Sequence, residues 1–185
     1  MDWLRIYLLA GLIGHKVLWE ILRRQARTTG KPSGGVRLVK AAKVAMLAAV
    51  MAQTLLPEIL PITEPGGTLV VLGVCLYTLG LGIAILGRVQ LGGNWSDIED
   101  DPVAAKRTVV NRGLYRYIRH PIYTGDLLLL CGLELSLNSW LVAGVALMAP
   151  VVFLQAVREE RLLEQSLAGY RDYCRRTRRF IPYVV

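Results

Sequence analysis

The sequence predicts an all-α fold: a polytopic membrane protein with five transmembrane helices, the last two forming a helical hairpin, followed by a cytoplasmic C-terminal amphipathic helix. Three observations carry this expectation. The chain of 185 residues is 54% hydrophobic, with a mean hydropathy of +0.41, more apolar surface than a soluble domain of that size can hide. The apolar residues gather into five segments. The cations gather between them, on one side only.

The segments are Trp3–Leu22, Leu38–Leu60, Thr68–Leu91, Ile122–Leu137 and Trp140–Val157. A spanning helix needs about 20 residues at a rise of about 1.5 Å each. The first three and the fifth meet that length, and the fourth is shorter. Asn138-Ser139-Trp140 is a tight polar turn, so the fourth and fifth segments read as an antiparallel hairpin. Residues 1–62 form an N-terminal helix pair, and residues 63–185 form the part that carries the chemistry; together they make a single domain. His15, Lys16 and Glu20 are ionisable groups within or near the end of the first span. Lys16 and Glu20 stand i, i+4 apart, the spacing of a helical ion pair. In the third segment Gly73, Gly80, Gly82 and Gly87 suit close helix packing. Beyond the fifth, Leu162, Leu163, Leu167, Tyr170 and Tyr173 recur at helical spacing, predicting an amphipathic helix ended by Pro182.

Twenty of the 22 Lys and Arg fall in the first and third connections, the adjoining helix ends, and the tail. The opposite loops, Glu58–Gly67 and Asn138–Trp140, hold none. The positive-inside rule then places the N-terminus outside and the C-terminus in the cytoplasm, as an odd number of spans requires. The expected location is the cell (inner) membrane, with the lipid bilayer as the immediate partner. A net charge of +8 and a pI near 9.7 suit an anionic leaflet. Spread over three segments, those cations do not form a nucleic-acid reading element. Three Cys without short spacing exclude a disulfide framework, and two His leave no metal cluster. The first apolar run carries Lys16 and Glu20 and lacks a small-residue cleavage site, unlike a cleavable signal peptide.

Two constellations carry chemistry. Arg119-His120-Pro121-x-Tyr123-x-Gly125 stands where the cytoplasm meets the fourth helix. Pro121 suits the first helical turn. The helix start attracts anions, and Gly125 would permit close approach of a ligand. Tyr, Arg and His also anchor interfaces without any ligand. The second constellation is Arg158-Glu159-Glu160-Arg161, where the fifth helix leaves the membrane. Carboxylates there are expensive in hydrocarbon, and they suit a diol or a cation. They also suit simple pairing with Arg158 and Arg161. A hairpin brings the two constellations to the same face. The acidic run Asp97-Ile-Glu-Asp-Asp101 reads as a solvated loop.

Taken in order, Leu91-Gly-x-x-Trp95, Val109-Val-x-x-Gly113-x-Tyr115, Arg119-His-Pro-x-Tyr-x-Gly125, Glu159-Glu160 and Tyr170-x-x-Tyr173…Ile181-Pro182 resemble the isoprenylcysteine carboxyl methyltransferase and phospholipid methyltransferase superfamily. The resemblance covers about residues 88–183. It implies an integral membrane enzyme using S-adenosylmethionine, with S-adenosylhomocysteine as product. It implies a cofactor pocket of Tyr115, His120, Pro121, Ile122, Tyr123, Gly125 and the pair Glu159 and Glu160, with Arg119, Glu159 and Glu160 as catalytic candidates. Trp95, Gln155 and Arg158 are the substrate-side candidates. In prenylcysteine-methylating members an Arg one turn before the acidic pair is associated with the substrate carboxylate. Here that position is Gln155, so the acceptor stays open among an isoprenylcysteine-like carboxylate, a lipid amine and a thiol. Two alternatives remain at this point. One is an NADPH-dependent membrane reductase of the sterol reductase type, whose comparable run continues with Asp, as Asp126 does here. The other is a non-catalytic membrane protein. Pro121 and the Glu159-Glu160 pair favour the methyltransferase.

Overall fold

The structure is a computed structural model, and it describes residues 3–25, 34–56, 59–63, 67–94 and 108–182. Those residues form six α-helices: α1 (Trp3–Gln25), α2 (Gly34–Leu55), α3 (Gly67–Leu91), α4 (Pro121–Ser136), α5 (Val142–Ser166) and α6 (Tyr170–Arg176). Two 3-10 turns, Gly92–Asn94 and Gly113–Arg116, flank the connection between α3 and α4. Among the described residues, two helical stretches are long and apolar enough to cross a membrane, Gly67–Asn94 and Val142–Ser166. On α5, Leu147, Val151 and Leu154 recur along one outward face and are largely uncovered, as a lipid-facing surface requires.

The closest packing joins α3 to α4, and small residues create it. Gly73, Gly80 and Gly87 recur every seven residues on α3, and Gly125 and Gly132 do so on α4. A Cβ on Gly132 would meet the backbone of Tyr77, and one on Gly80 would meet the backbone of Leu129. A Cβ on Gly73 would meet Ser136. A seven-residue repeat holds one helix face on its partner with a left-handed crossing. Gly82 has open space around it and stands outside this seam. The core proper is Leu8 and Leu12 of α1 with Tyr77, Leu129, Leu133 and Leu137. The Tyr77 hydroxyl donates to the Leu8 carbonyl at 2.6 Å, which ties α1 to α3.

At one end of the bundle the connection after α2 meets the turn between α4 and α5. Ile62 N donates to Asn138 O at 3.0 Å and Trp140 N donates to Leu60 O at 2.9 Å. Asn138 adopts a positive φ of 53°, which Asn tolerates, and its side chain donates to Thr63 O at 2.7 Å. These two polar turns are the ones free of Lys and Arg, and they do share an end.

The tail departs from expectation. Leu162 and Leu163 belong to α5, which continues to Ser166, and Leu167 is already extended. Gly169 takes a φ of 79°, a conformation that costs Gly little. It separates α5 from a seven-residue α6 ending at Arg176. The predicted single amphipathic helix running toward Pro182 is therefore two helices and a non-helical segment with one isolated β-bridge, Ile118 to Arg178. That segment lies beside the entry to α4: Arg178 N donates to Tyr117 O at 3.0 Å, Arg119 N to Arg178 O at 2.7 Å and His120 N to Arg179 O at 3.0 Å.

Candidate functional site

Four pieces of chain converge at the end of the bundle opposite those turns: the Gly113–Arg116 turn, the start of α4, the end of α5 and the tail. Gly113 sits at φ 57°, and Leu114 N donates to the Gln90 side chain at 2.8 Å. This fixes the turn to α3 and directs Tyr115 inward, where it is buried. Pro121 occupies the first turn of α4 with His120 as the flanking residue, as the missing N–H of Pro favours.

The predicted Arg-His-Pro and Glu-Glu constellations touch directly. Glu160 is 6% exposed. Its Oε1 accepts from Arg119 Nε at 2.7 Å and from His120 Nε2 at 3.1 Å. Its Oε2 accepts from Arg179 Nε at 2.9 Å. A carboxylate only accepts, so the His120 tautomer with a proton on Nε2 is the one that fits. Two guanidiniums and an imidazole thus hold Glu160 as the anion. Arg119 spends more of its donors on the tail, giving Nη1–H bonds to the carbonyls of Cys174 and Thr177. Arg119 and Glu160, expected as catalytic groups, are occupied in joining α4, α5 and the tail.

Glu159 is different. Its side chain is 27% exposed, and Oε2 accepts from the Tyr123 hydroxyl at 3.0 Å. His120 Nδ1 lies 3.9 Å from the same oxygen. His120 stacks on Tyr123, with ring centroids 5.4 Å apart and planes at 12°, and Phe180 closes the other side at 5.7 Å. The site therefore presents one accessible carboxylate beside two aromatic rings, with the neighbouring carboxylate already neutralised. Burial pushes the Tyr115 phenol above the ordinary range, and the nearby Tyr173 and Glu159 push the same way. Burial likewise raises the Tyr173 phenol, which donates to Tyr115 O at 2.7 Å. Both phenols are neutral donors at physiological pH.

Residues 68–168 match the family described as phospholipid methyltransferase. The chain belongs to the phospholipid methyltransferase family. It is 31% identical over 109 residues to the cobalt-zinc-cadmium resistance protein CzcN of Cupriavidus metallidurans, covering 58% of this chain and 48% of that one. Its fold matches the eukaryotic intramembrane Ras methyltransferase ICMT (isoprenylcysteine carboxyl methyltransferase) with a TM-score of 0.55 and 25% identity, over 63% of this chain and 43% of the other. The chain thus spans about half the length of these relatives. Family membership agrees with the resemblance read from the motifs.

Within this phospholipid methyltransferase fold, the remaining predicted residues have distinct places. Ile122 and Pro121 lie against Gly87 of α3. The close approach that Gly125 permits is to α3, since a Cβ there would meet the backbone of Ala84. On that side the space beside Gly125 is filled by α3. Gln155 is half-buried one turn before Glu159, and Arg158 is exposed. The acidic pair draws its partners from α4 and the tail instead of from Arg158 and Arg161. Trp95 and the run Asp97–Asp101 lie outside the described residues. Arg179, Thr177 and Phe180 were not anticipated. The only signal for them was the cationic, aromatic run Thr177-Arg-Arg-Phe180, which reads equally well as an interfacial anchor.

Proposed function

We propose that this chain is an integral membrane methyltransferase that takes S-adenosylmethionine from the cytoplasm and methylates a lipophilic acceptor reached from the bilayer. The single observation that carries the proposal is the meeting of His120, Tyr123 and Glu159 around one accessible carboxylate. Family membership supports methyl transfer over the reductase alternative. The lipid-facing surface of α5 and the one-sided cations support a bilayer setting, with N-terminus outside and C-terminus in the cytoplasm.

The side chains fit the cofactor. The Glu159 carboxylate can accept from a ribose diol, and Oε1 makes no hydrogen bond recorded among the described residues. The phenols of Tyr115 and Tyr123 and the start of α4 suit the amino-acid end. Aromatic faces and the Glu159 charge suit a sulfonium. When bound, the cofactor supplies an electrophilic methyl. The chain's own residues bind, orient and exclude water. Tyr123 holds Glu159 through its hydroxyl and stacks on His120, while Arg119, Glu160 and Arg179 brace the wall behind them. Alignment of donor and acceptor in a dry site supplies much of the rate in such displacements. Trp95, Gln155 and Arg158 are proposed on the acceptor side.

The test is ligand-induced stabilisation of the purified protein followed by transfer of labelled methyl to membrane extracts. S-adenosylhomocysteine should raise the melting temperature, NADPH should not, and a lipid-soluble product should take up label. Stabilisation by NADPH alone would overturn the proposal.

A further inference from the structure

Asp126 and His15 form a second polar cluster next to this site, and the site as described does not use it. Asp126 stands three residues beyond Tyr123 on α4. That spacing places it on the neighbouring part of the same helix surface, about 4.5 Å deeper along the axis. His15 approaches from α1, with Nε2 at 3.6 Å from Asp126 Oδ1. Nε2 is shielded from solvent and makes no hydrogen bond. The Asp126 side chain keeps 41% of its surface open, so the pair is anchored on one side and accessible on the other. A carboxyl and an imidazole at helix depth are expensive to keep there without use. Because Asp126 is three residues from Tyr123 on α4, helical spacing sets the pair beside the Tyr123–Glu159 wall.

We propose that Asp126 and His15 form the acceptor-side proton-accepting pair, and that the acceptor is a protic nucleophile, an amine or a hydroxyl, in place of a preformed carboxylate. The inference rests on the methyltransferase reading above. In the step, an N–H or O–H of the acceptor donates to Asp126. The bond from that nitrogen or oxygen to the methyl carbon forms as the bond from methyl carbon to sulfur breaks, its electrons leaving with sulfur. The released proton stays on the Asp126–His15 pair. Asp126 touches the acceptor, and His15 positions it and shares the proton. Among the described residues, the charged groups near the pair include Glu20, on α1 with His15. Lys16 is the sequence neighbour of His15 on α1. Arg88 of α3 lies 5.5 Å over the ring of Trp19, and Trp19 packs 5.2 Å from His15. Tyr123 and, beyond it, Glu159 lie toward the cytoplasm.

The test uses full-length protein in nanodiscs, with Asp126→Asn and His15→Gln variants. Wild type and both variants should be stabilised equally by S-adenosylhomocysteine. Transfer to an amine or hydroxyl lipid at pH 7 should fall about a hundredfold in Asp126→Asn and less in His15→Gln. The variants should then gain about tenfold in rate per pH unit as the acceptor loses its own proton, whereas wild type should not. Histidine labelling gives an independent readout, because the chain has two His. Asp126→Asn should move the His15 titration midpoint by about one pH unit or more and leave that of His120 in place. Should Asp126→Asn fail to fold, His15→Gln and Asp126→Glu carry the same comparison. Variants that lose rate with an unchanged pH profile, or an unmoved His15 titration, would make the pair a structural tie and overturn the proposal. A wild-type protein that S-adenosylhomocysteine does not stabilise would instead remove the methyltransferase reading, and this inference with it.

Discussion

Two adjacent glutamates should fail in opposite ways. Glu160→Ala removes an acceptor that is 6% exposed and takes three charge-assisted bonds, from Arg119, His120 and Arg179. The Arg119 side chain is only 9% exposed, so its charge would be left in a poorly solvated place. Removing one partner of a buried pair costs about 3–5 kcal/mol. At about 2–4 °C per kcal/mol for a chain of this size, the melting temperature should fall by about 6–20 °C. Glu159→Gln touches only the Tyr123 hydroxyl and a partly open carboxylate. Its stability should change by less than about 1 kcal/mol, while S-adenosylhomocysteine binding weakens by at least about tenfold, the loss of one bond to a charged group. Thermal denaturation in detergent with and without ligand reads both effects. If Glu160→Ala melts like wild type, or Glu159→Gln is the less stable of the two, the division of labour argued from this geometry is wrong.

Three further outcomes follow from the same contacts. Gly132→Leu places a side chain against the backbone of Tyr77 and should prevent recovery of folded protein, whereas Gly82→Ala, with open space around it, should stay within about 0.5 kcal/mol of wild type by thermal melt. Tyr123→Phe removes the donor to Glu159 and should weaken S-adenosylhomocysteine by about tenfold in a binding titration, with little change in melting temperature. Alkaline stability should fall steeply. Burial raises the phenols of Tyr115, Tyr170 and Tyr173, and the nearby Arg119 offsets this only in part at Tyr173. Above about pH 10 the unfolded chain therefore releases protons that the folded one keeps, at about 1.4 kcal/mol per phenol per pH unit. Full stability should persist below that pH, and Tyr173→Phe should lessen the slope seen by circular dichroism between pH 9 and 11.

Much of this architecture was legible because a few rules act locally. Apolar run length marked the helices, Pro121 marked the start of α4, and the glycines of α3 announced a close neighbour, although Gly82 stands outside the seam. The adjacency of His120 and the Glu pair followed from the short Asn138-Ser139-Trp140 turn. The tail was not legible in the same way. Leu162, Leu163, Tyr170 and Tyr173 keep a helical period, but the conformation of Gly169 breaks the helix between them. The docking of Arg178 and Arg179 depends on backbone bonds to a segment some 60 residues earlier in the chain, and no local pattern encodes that. Gly125 illustrates the same limit. A glycine beside a ligand motif and a glycine in a helix seam look identical until the partner helix is placed. The choice between Glu159 and Glu160 likewise depended on Arg179 arriving from the tail.

That late arrival has a bearing on biogenesis. Until Arg179 reaches Glu160, that carboxylate lacks one of its guanidinium partners and the entry to α4 lacks the backbone bonds it takes from the tail. The pocket wall is therefore completed only when residues 178–180 dock, after both of the helices they join have been synthesised.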